Sequence, residues 1–203
     1  MTSNNTGQKR KRVLVLTSTF PRWEGDSEPP FVFELCRRLS EDSEVWILAP
    51  HAQDAKTHET LGGLTVVRFC YFFEWGETLA YRGGILSNLR NNKLNYLLVP
   101  LFLVFQLTAL LRLLDQQRFD IVHAHWLIPQ GLVAVVAKLV SRSAPALLCT
   151  AHGSDLYGLR GRLFSALKRL VMRRSDAISM VSQAMKERAV ALGAELEKIS
   201  VIS

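Results

Sequence analysis

Three nucleotide-binding signatures are absent from this sequence of 203 residues. No Gly-x-Gly-x-x-Gly follows the first predicted strand, which disfavours a nicotinamide or flavin dinucleotide site. No Gly-x-x-x-x-Gly-Lys occurs, so a phosphate-binding loop of the Walker type is not expected. No Asp-x-Asp pair occurs either. Nothing in the sequence therefore marks a carboxylate cage for a nucleotide-bound metal ion.

Cysteine is scarce, and an export signal is missing. Cys36, Cys70 and Cys149 lie in apolar runs without the spacing of metal ligands. We interpret them as buried thiols in a reducing compartment. Residues 1–12 are polar and then basic, and the apolar run Val13–Leu16 is too short for the core of a signal peptide. We therefore expect a cytoplasmic protein that begins with a disordered basic tail, residues 1–11.

Acidic residues are outnumbered. The 25 Lys and Arg residues exceed the 18 Asp and Glu residues, giving a formal net charge of +7. This excess favours anionic partners such as nucleotide phosphates, nucleic acid or a membrane surface, and it does not choose among them.

Short apolar runs alternate with helical patterns along residues 12–203. This order predicts one α/β domain with a mainly parallel sheet and helices on both faces. The predicted strands are Arg12–Thr19, Glu44–Ala49, Leu64–Phe73, Phe119–Ala124, Ala146–Ala151, Ala177–Val181 and Lys198–Ile202. The predicted helices are Pro29–Glu41, an interrupted segment Leu86–Asp115, Pro129–Val140, Arg160–Arg174, and one capped by Ser182 that runs to Gly193.

Two neighbouring strands of this sheet end in histidine. His123 and His125 close one strand and Trp126 follows directly, while His152 closes the next strand. In open α/β sheets, ligands bind outside the carboxyl ends of the strands. The three histidines are candidates for a zinc site, or for hydrogen-bonding and acid–base groups without a metal. A structural role is a third interpretation, and it fits His123 best because that residue lies deeper in its strand.

Other candidate binding residues lie in loops at the same edge. Gly153 lets a backbone approach a ligand closely, and Asp155 is placed to orient an imidazole or a sugar hydroxyl, or to cap the next turn. The long loop after the first strand contains Arg22, Gly25 and Asp26 and precedes a helix. A helix N-terminus binds anions, and Arg22 is placed to assist.

Two helical segments suggest a membrane surface. Leu94–Leu111 carries no charge, but polar residues and a proline interrupt it, so we expect a buried or surface-inserted helix and not a span. The Arg160–Arg174 helix has an apolar stripe, predicted to consist of Leu163, Phe164, Leu167, Leu170 and Val171. Its candidate lipid-headgroup ligands are Arg160, Arg162, Lys168, Arg169, Arg173 and Arg174. A solvated basic face is the alternative.

Five pieces of this chain, in order, resemble the N-terminal half of glycosyltransferase family 4. They are the first strand with its Phe20-Pro21 turn, Asp120-Ile121-Val122-His123-Ala124-His125, Pro129-Gln130-Gly131, Ala151-His152-Gly153-Ser154-Asp155, and Ser175-Asp176-Ala177-Ile178 with Val181-Ser182. The resemblance implies a GT-B architecture of two Rossmann-like domains facing a cleft. This chain would be the acceptor-binding domain, and the C-terminal donor-binding domain would be absent.

The resemblance also implies a chemistry. It implies sugar transfer that retains the anomeric configuration and needs no metal, with His152 as the catalytic residue beside the donor sugar. Gly25 and Asp26 would lie near the donor phosphates and the acceptor. Many members carry a Gly-Gly pair where this chain has Glu24-Gly25-Asp26, which weakens any statement about backbone contacts to phosphate there.

We therefore expect the acceptor-binding half of a retaining hexosyltransferase that is inactive as an isolated chain. The expected partners are a nucleotide-sugar donor, a saccharide or polyprenyl-linked acceptor of envelope, capsular or glycolipid assembly, and the anionic inner face of a membrane. Nucleic acid is not expected. One alternative is a metal-dependent hydrolase using His123, His125 and His152. The other is a non-catalytic partner of a separate donor-binding subunit.

Overall fold

A computed structural model describes residues 10–143 and 145–202 of the chain. Most of the predicted basic tail, residues 1–9, lies outside the described residues, and Lys11 already belongs to the first strand. The strands are β1 Lys11–Leu16, β2 Ser43–Pro50, β3 His58–Leu61, β4 Leu64–Phe69, β5 Ile121–His125, β6 Ala146–Ala151, β7 Ala177–Met180 and β8 Ile199–Val201. The α-helices are α1 Phe31–Leu39, α2 Gly84–Asn91, α3 Leu98–Gln116, α4 Leu132–Val140, α5 Arg162–Arg174 and α6 Gln183–Ala191.

The eight strands of the described residues form one sheet in the order β3-β4-β2-β1-β5-β6-β7-β8. All neighbouring pairs are parallel except β3 and β4. Helices cover both faces. The helix α1 packs with alternate residues of β1 and β2 on one face, whereas α3, α4, α5 and α6 pack into a larger core on the other. The predicted α/β, Rossmann-like class is therefore confirmed.

The strand β3 is absent from our prediction. It is only four residues long, and it pairs antiparallel with β4 across the Gly62-Gly63 turn. Both glycines have positive φ, +56° and +82°, as a tight hairpin requires. The following strand was predicted too long, since β4 ends at Phe69 and Phe73 is exposed.

The uncharged segment is a short 3₁₀ turn, Lys93–Leu97, followed by α3. Within the described part of the chain, the stretch Lys93–Gln116 is long and apolar enough to cross a membrane. Its inner face nevertheless belongs to the core, where Phe102 and Leu110 are buried. Its outer face leaves Leu97 and Phe105 exposed. The segment is thus partly buried against the core, and the prediction that it does not span a membrane stays a prediction.

The sheet reverses its direction of growth between β1 and β5. From β1 the chain builds outward through β2 and β4, and then it returns across α2 and α3 to place β5 on the other side of β1. The loops after β1 and β5 consequently diverge and leave a crevice at the carboxyl edge. Such a switch point is where open α/β sheets bind ligands.

Candidate functional site

His152 lies at this switch point, one residue beyond the end of β6. Its ring is 4.7 Å from the ring of Trp126 and 5.1 Å from that of Phe31, measured between centroids. Trp126 follows β5 and Phe31 opens α1, so three separate segments meet at one imidazole. Burial lowers the pKa of His152 to about 4, because a desolvated imidazolium is disfavoured. The residue is therefore neutral near pH 7 and partly accessible.

The backbone of Trp126 is strained where it reaches this site. Its φ is +73°, a left-handed conformation that is uncommon for a bulky residue. Two hydrogen bonds hold it there, one from its N–H to Thr150 O at 2.7 Å and one from Gly131 N–H to its carbonyl at 2.9 Å. Strain of this kind concentrates at functional sites, where the surrounding structure enforces it.

His125 lies behind His152 and does not face the crevice. In the sheet register His125 stands opposite Thr150, so His152, two residues further along the chain and just beyond β6, lies on the same face. The His125 Nδ1 atom is 2.9 Å from His152 Nε2. The His125 side chain is 0% exposed, and burial holds its pKa well below the usual value. The structure therefore places His125 beneath the surface in contact with His152, and its predicted role in substrate binding stays a prediction.

His123 has the structural role suggested by its depth in the strand. It is buried, and its Nε2 atom lies 2.7 Å from Thr150 Oγ1, which in turn contacts Ser179 Oγ. Burial lowers its pKa to about 4.

The three histidines therefore contact protein groups in pairs and do not gather around one point. Among the described residues, the set that brings three potential ligand atoms within 4.8 Å is His51, Cys70 and Glu77. There the two His51 ring nitrogens contact Glu77 Oε2 at 2.5 Å and Ala55 O at 2.9 Å, which ties the loop after β2 to the loop after β4.

Asp155 fastens the loops after β5 and β6 to each other. Its Oδ2 atom accepts the Leu127 N–H at 2.7 Å, and its Oδ1 atom accepts the His152 N–H at 3.1 Å. The residue is only 2% exposed and holds the backbone of His152, while it also lines the switch-point cleft, so its predicted substrate contact stays a prediction. Burial raises its pKa, and the backbone N–H groups oppose that rise. Between His152 and Asp155, Gly153 has a φ of +93°, a backbone conformation that glycine adopts without strain.

The loop after β1 is closed by its own ion pair. Arg22 Nε and Nη2 donate to the two Asp26 carboxylate oxygens at 2.8 and 2.7 Å, and the Arg22 N–H donates to the same group. This pairing lowers the pKa of Asp26 to about 2. The Asp26 side chain is 1% exposed and is occupied by Arg22, and its predicted substrate contact stays a prediction. Gly25 has a φ of +79° in open space and shapes the turn. The guanidinium of Arg22 lies over the ring of Trp23 and faces a cleft.

Two clefts open on the carboxyl edge of the sheet. The switch-point cleft has a volume of about 250 Å³ and is lined by loops after β1, β5 and β6 together with the start of α2. The polar cleft has a volume of about 350 Å³ and lies over the ends of β1, β2 and β4. Its walls include two indole rings, a phenol and many hydrogen-bonding groups, among them Arg22, Trp23, Gln53, Asp54, Trp75, Tyr81, Arg82, Asn88, Asn91, Asn92 and Asn95.

The sequence did not identify the residues that join these clefts. Glu28 is buried, accepts the Thr19 hydroxyl at 3.2 Å, and accepts the Arg82 N–H at 2.7 Å. Asn88 donates to the backbone carbonyls of the segment that precedes α2. An acid next to the Pro29-Pro30 pair in the first loop was the only local signal for Glu28. Its partner is 54 residues away, a distance that no local pattern covers.

The segment of the basic helix α5 exposes five of the six predicted headgroup ligands and buries the sixth. Lys168 is buried, and its ammonium donates to the carbonyls of Leu156 and Leu159 at 2.6 Å each, so it is not available to a lipid headgroup. Arg169 donates to Leu192 O at 2.9 Å while remaining exposed. The other predicted headgroup ligands, which are Arg160, Arg162, Arg173 and Arg174, are exposed. Two members of the predicted apolar stripe are exposed as well, Leu163 and Leu170.

Solved structures share this fold over nearly the whole chain. They include HepE from Anabaena in complex with UDP-glucose (TM-score 0.57, 12% identity, 94% of this chain and 43% of that one). They include the lipopolysaccharide outer core galactosyltransferase WaaB in its apo form (TM-score 0.55, 14% identity, 94% of this chain and 44% of that one). A UDP-N-acetylglucosamine 2-epimerase from Rickettsia bellii is also similar (TM-score 0.52, 12% identity, 95% of this chain and 44% of that one). The chain thus spans less than half the length of these proteins.

At such low identities the structural similarity establishes the fold alone. None of the curated proteins matches the chain. The model of glycosyltransferase family 4, in contrast, matches residues 30–203, which include every strand from β2 onward and the whole His125–His152 site. The resemblance inferred from the five sequence motifs is confirmed, and the chain belongs to glycosyltransferase family 4.

Proposed function

We propose that this chain is the acceptor-side half of a retaining hexosyltransferase. The enzyme would move a sugar from a nucleotide-sugar donor to a saccharide or lipid-linked saccharide. The observation that carries the proposal is the position of His152. It stands at the switch point of a family 4 glycosyltransferase domain, beside Trp126 and Phe31, where loops from three strands converge.

His152 supplies a neutral hydrogen-bonding group at the reacting centre. With a pKa of about 4 it carries no charge near pH 7, so it acts through one N–H or one lone pair. Placed beside the donor sugar, it orients a hydroxyl or an oxygen on which charge develops as the glycosidic bond to the nucleotide breaks. Such a preorganised polar group acts most strongly where water is excluded.

We infer that the donor enters as a nucleotide-sugar co-substrate without a metal. The carboxylates around the crevice are each engaged by protein donors: Asp26 by Arg22, Asp155 by two backbone N–H groups, and Glu28 by Thr19 and a backbone N–H. A metal site would need such oxygens to be free. HepE, which shares the fold, binds UDP-glucose, and this favours a uridine nucleotide as the first donor to try.

The polar cleft suits the acceptor saccharide. Sugars present hydroxyl groups around an apolar ring face, so they need both side-chain amides and aromatic rings. The cleft offers Asn91, Asn92 and Asn95 near Trp23 and Trp75. Its volume of about 350 Å³ lies within the range of small-molecule sites.

An exposed aromatic rim beside this cleft favours a lipid-linked acceptor. The rim consists of Phe72, Phe73, Trp75, Leu94 and Leu97, and all of them except Phe72 are about 70% exposed or more. The three aromatic rings contact one another. The rim adjoins the cleft, because Trp75 lines the cleft and so does Asn95, which lies between Leu94 and Leu97 in the sequence. Aromatic side chains of this kind sit at membrane interfaces.

The helical segment beside the rim has the charge that an anionic lipid surface requires, whereas the rim itself contains one acidic residue, Glu74, between Phe73 and Trp75. Between Thr78 and Leu114 there is no acidic residue, and the four cations are Arg82, Arg90, Lys93 and Arg112. This moves the proposed membrane contact from α5 toward α2 and α3, with the exposed arginines of α5 as a second basic patch. We infer a peripheral enzyme at the cytoplasmic face of the membrane, in envelope, capsular polysaccharide or glycolipid assembly.

The function is tested by a donor screen on the complete enzyme, with a membrane extract as acceptor. We expect transfer of one nucleotide-bound hexose to the extract and retention of its anomeric configuration. The isolated 203-residue chain should fold and show no turnover, because loss of the donor site removes the proximity contribution, worth up to about 7–11 kcal/mol. Robust transfer by the isolated chain, or no transfer by the complete enzyme with any donor, would contradict the proposal.

The membrane contact is tested by co-sedimentation with vesicles that do or do not contain anionic lipid. We expect salt-sensitive binding to the anionic vesicles, since screening at 1 M salt shortens to about 3 Å. Trp75→Ser and Phe73→Ser should weaken binding, whereas Leu196→Ser, at an exposed apolar residue outside the rim, should not. Equal loss in all three variants, or no binding at low salt, would remove the support for a lipid-linked acceptor.

A further inference from the structure

The His125 and His152 rings meet edge to edge through a single hydrogen bond. The His125 Nδ1 and His152 Nε2 atoms are 2.9 Å apart. The ring planes differ by only 16°, with centroids 5.1 Å apart, as expected when two imidazoles share a plane and a proton lies between their nitrogens. Because one nitrogen must donate and the other accept, the two tautomers are coupled.

The burial of His125 decides which nitrogen donates. Its other ring atom, Nε2, is fully buried and has no hydrogen-bond partner among the described residues. If Nε2 carried the proton, a buried N–H would stay unpaired, which is rare in proteins. If Nδ1 carries the proton, the unpaired atom is only a lone pair, and the N–H is satisfied by His152.

The groups around His125 do not offer another arrangement. The His123 ring lies 4.4 Å away, centroid to centroid, and its Nε2 atom is engaged by Thr150. The side-chain amide of Gln130 lies 3.2 Å from the His125 carbonyl and from Ser18 N, so it holds the end of β5 and not the ring. Neither side chain is thus a recorded hydrogen-bond partner of the His125 ring.

We infer that His125 is a positioning residue, whose Nδ1–H donates to His152 Nε2 and holds His152 as the Nδ1–H tautomer. His152 then offers a ligand an N–H donor at Nδ1 and cannot serve as a base there. This favours a hydrogen bond to an oxygen of the donor sugar, with no proton transferred. The consequence for transfer rests on the proposed function, whereas the tautomer itself does not.

The tautomer is tested directly by long-range ¹H–¹⁵N correlation spectra of the histidine side chains in the full 203-residue chain near pH 7. We expect a protonated Nδ1 and an unprotonated Nε2 in both His125 and His152. The signals are assigned with His123→Gln, which keeps a hydrogen-bonding group for Thr150 and should leave the His152 pattern unchanged. A protonated Nε2 in His152 would overturn the inference, and this result depends on no activity measurement.

The functional consequence is tested with two substitutions of His125 in the complete enzyme. His125→Asn keeps an N–H close to the position of Nδ1, whereas His125→Leu removes it. We expect His125→Leu to lower kcat on the order of tenfold, the size seen when a partner that orients a functional histidine is removed, with KM little changed. His125→Asn should recover most of that loss. Equal activity of the two variants would contradict the positioning role, and an inactive wild type with the expected tautomer would contradict only the proposed function.

Discussion

Replacement of Asp155 should destabilise the domain, because its carboxylate joins the loops on which the site is built. The group accepts the N–H of Leu127 from the loop after β5 and that of His152 from the loop after β6. A hydrogen bond to a charged group contributes about 1.5–3 kcal/mol, and a buried donor left unpaired costs about 1–3 kcal/mol. Burial raises the pKa of Asp155, so part of the loss is offset when the charge is removed.

We therefore expect Asp155→Asn to lower the free energy of unfolding by about 2 kcal/mol, since one oxygen still accepts, and Asp155→Ala by about 4 kcal/mol. For a domain of this size, 1 kcal/mol corresponds to a fall in Tm of about 2–4 °C. Thermal and urea unfolding followed by circular dichroism measure both.

The matched control is Asp176→Asn. Asp176 also accepts a backbone N–H from the neighbouring strand, that of Leu147 at 2.7 Å, but its side chain is 52% exposed. Its loss should cost less than about 1 kcal/mol. If Asp155→Ala melts within a degree or two of the wild type, or if the two sites behave alike, Asp155 does not hold the loops together.

Three further outcomes are expected. First, stability should fall on acidification. The pKa of His123 is about 4 in the folded chain and about 6.5 in the unfolded chain, because burial keeps the imidazole neutral. Up to about 3 kcal/mol of the free energy of unfolding, present above pH 6.5, is therefore lost toward pH 4. His123→Gln should flatten this pH dependence of the urea midpoint, whereas substitution of the exposed His58 should not. Second, Gly131→Ala should destabilise the domain by about 1–3 kcal/mol in the same assay, because the added Cβ would lie 2.7 Å from Cys149 Sγ. An unchanged urea midpoint would show that the core around Gly131 can accommodate a methyl group. Lys168→Met should lower stability by about 1–3 kcal/mol through two unpaired carbonyls but leave vesicle binding unchanged, and loss of vesicle binding would contradict its burial.

The parallel sheet was predictable because each buried strand has a short apolar sequence that lies between segments with helical periodicity. Such runs specify strands through burial on both faces, and right-handed crossovers then leave few topologies. The strand β3 was not predictable in this way. Its sequence, His58-Glu59-Thr60-Leu61, has one buried residue, and the antiparallel pairing with β4 holds it at the edge.

The position of His152 at the site was predictable, but the roles of its neighbours were not. Strand ends in a parallel sheet share one edge, so His125 and His152 had to be close. Whether a side chain faces the crevice or lies beneath it depends on register, and the register places His125 behind His152. Asp155 and its partner Leu127 are 28 residues apart, so their contact follows from the pairing of β5 with β6 and from no local pattern.

The orientation of α5 shows the same limit. Periodicity placed Leu163 and Leu170 inside, yet both are exposed, and Lys168 is buried with Val171 and Met172. The ammonium of Lys168 satisfies two carbonyls in the preceding loop, Leu156 O and Leu159 O, which allows a basic side chain to lie on the buried side of the helix. Periodicity of apolar residues does not reveal such a polar requirement of the backbone.

The account centres on His152 as a neutral hydrogen-bonding group at the reacting centre of a glycosyltransferase. The measurement that tests it most directly is the steady-state rate of sugar transfer by the complete enzyme carrying His152→Ala, compared with the wild type and with substitution of the exposed His58. We predict a fall in kcat of about 10² or more for His152→Ala with the fold preserved, and no change for the His58 variant. A His152→Ala enzyme that transfers sugar at the wild-type rate would contradict the account.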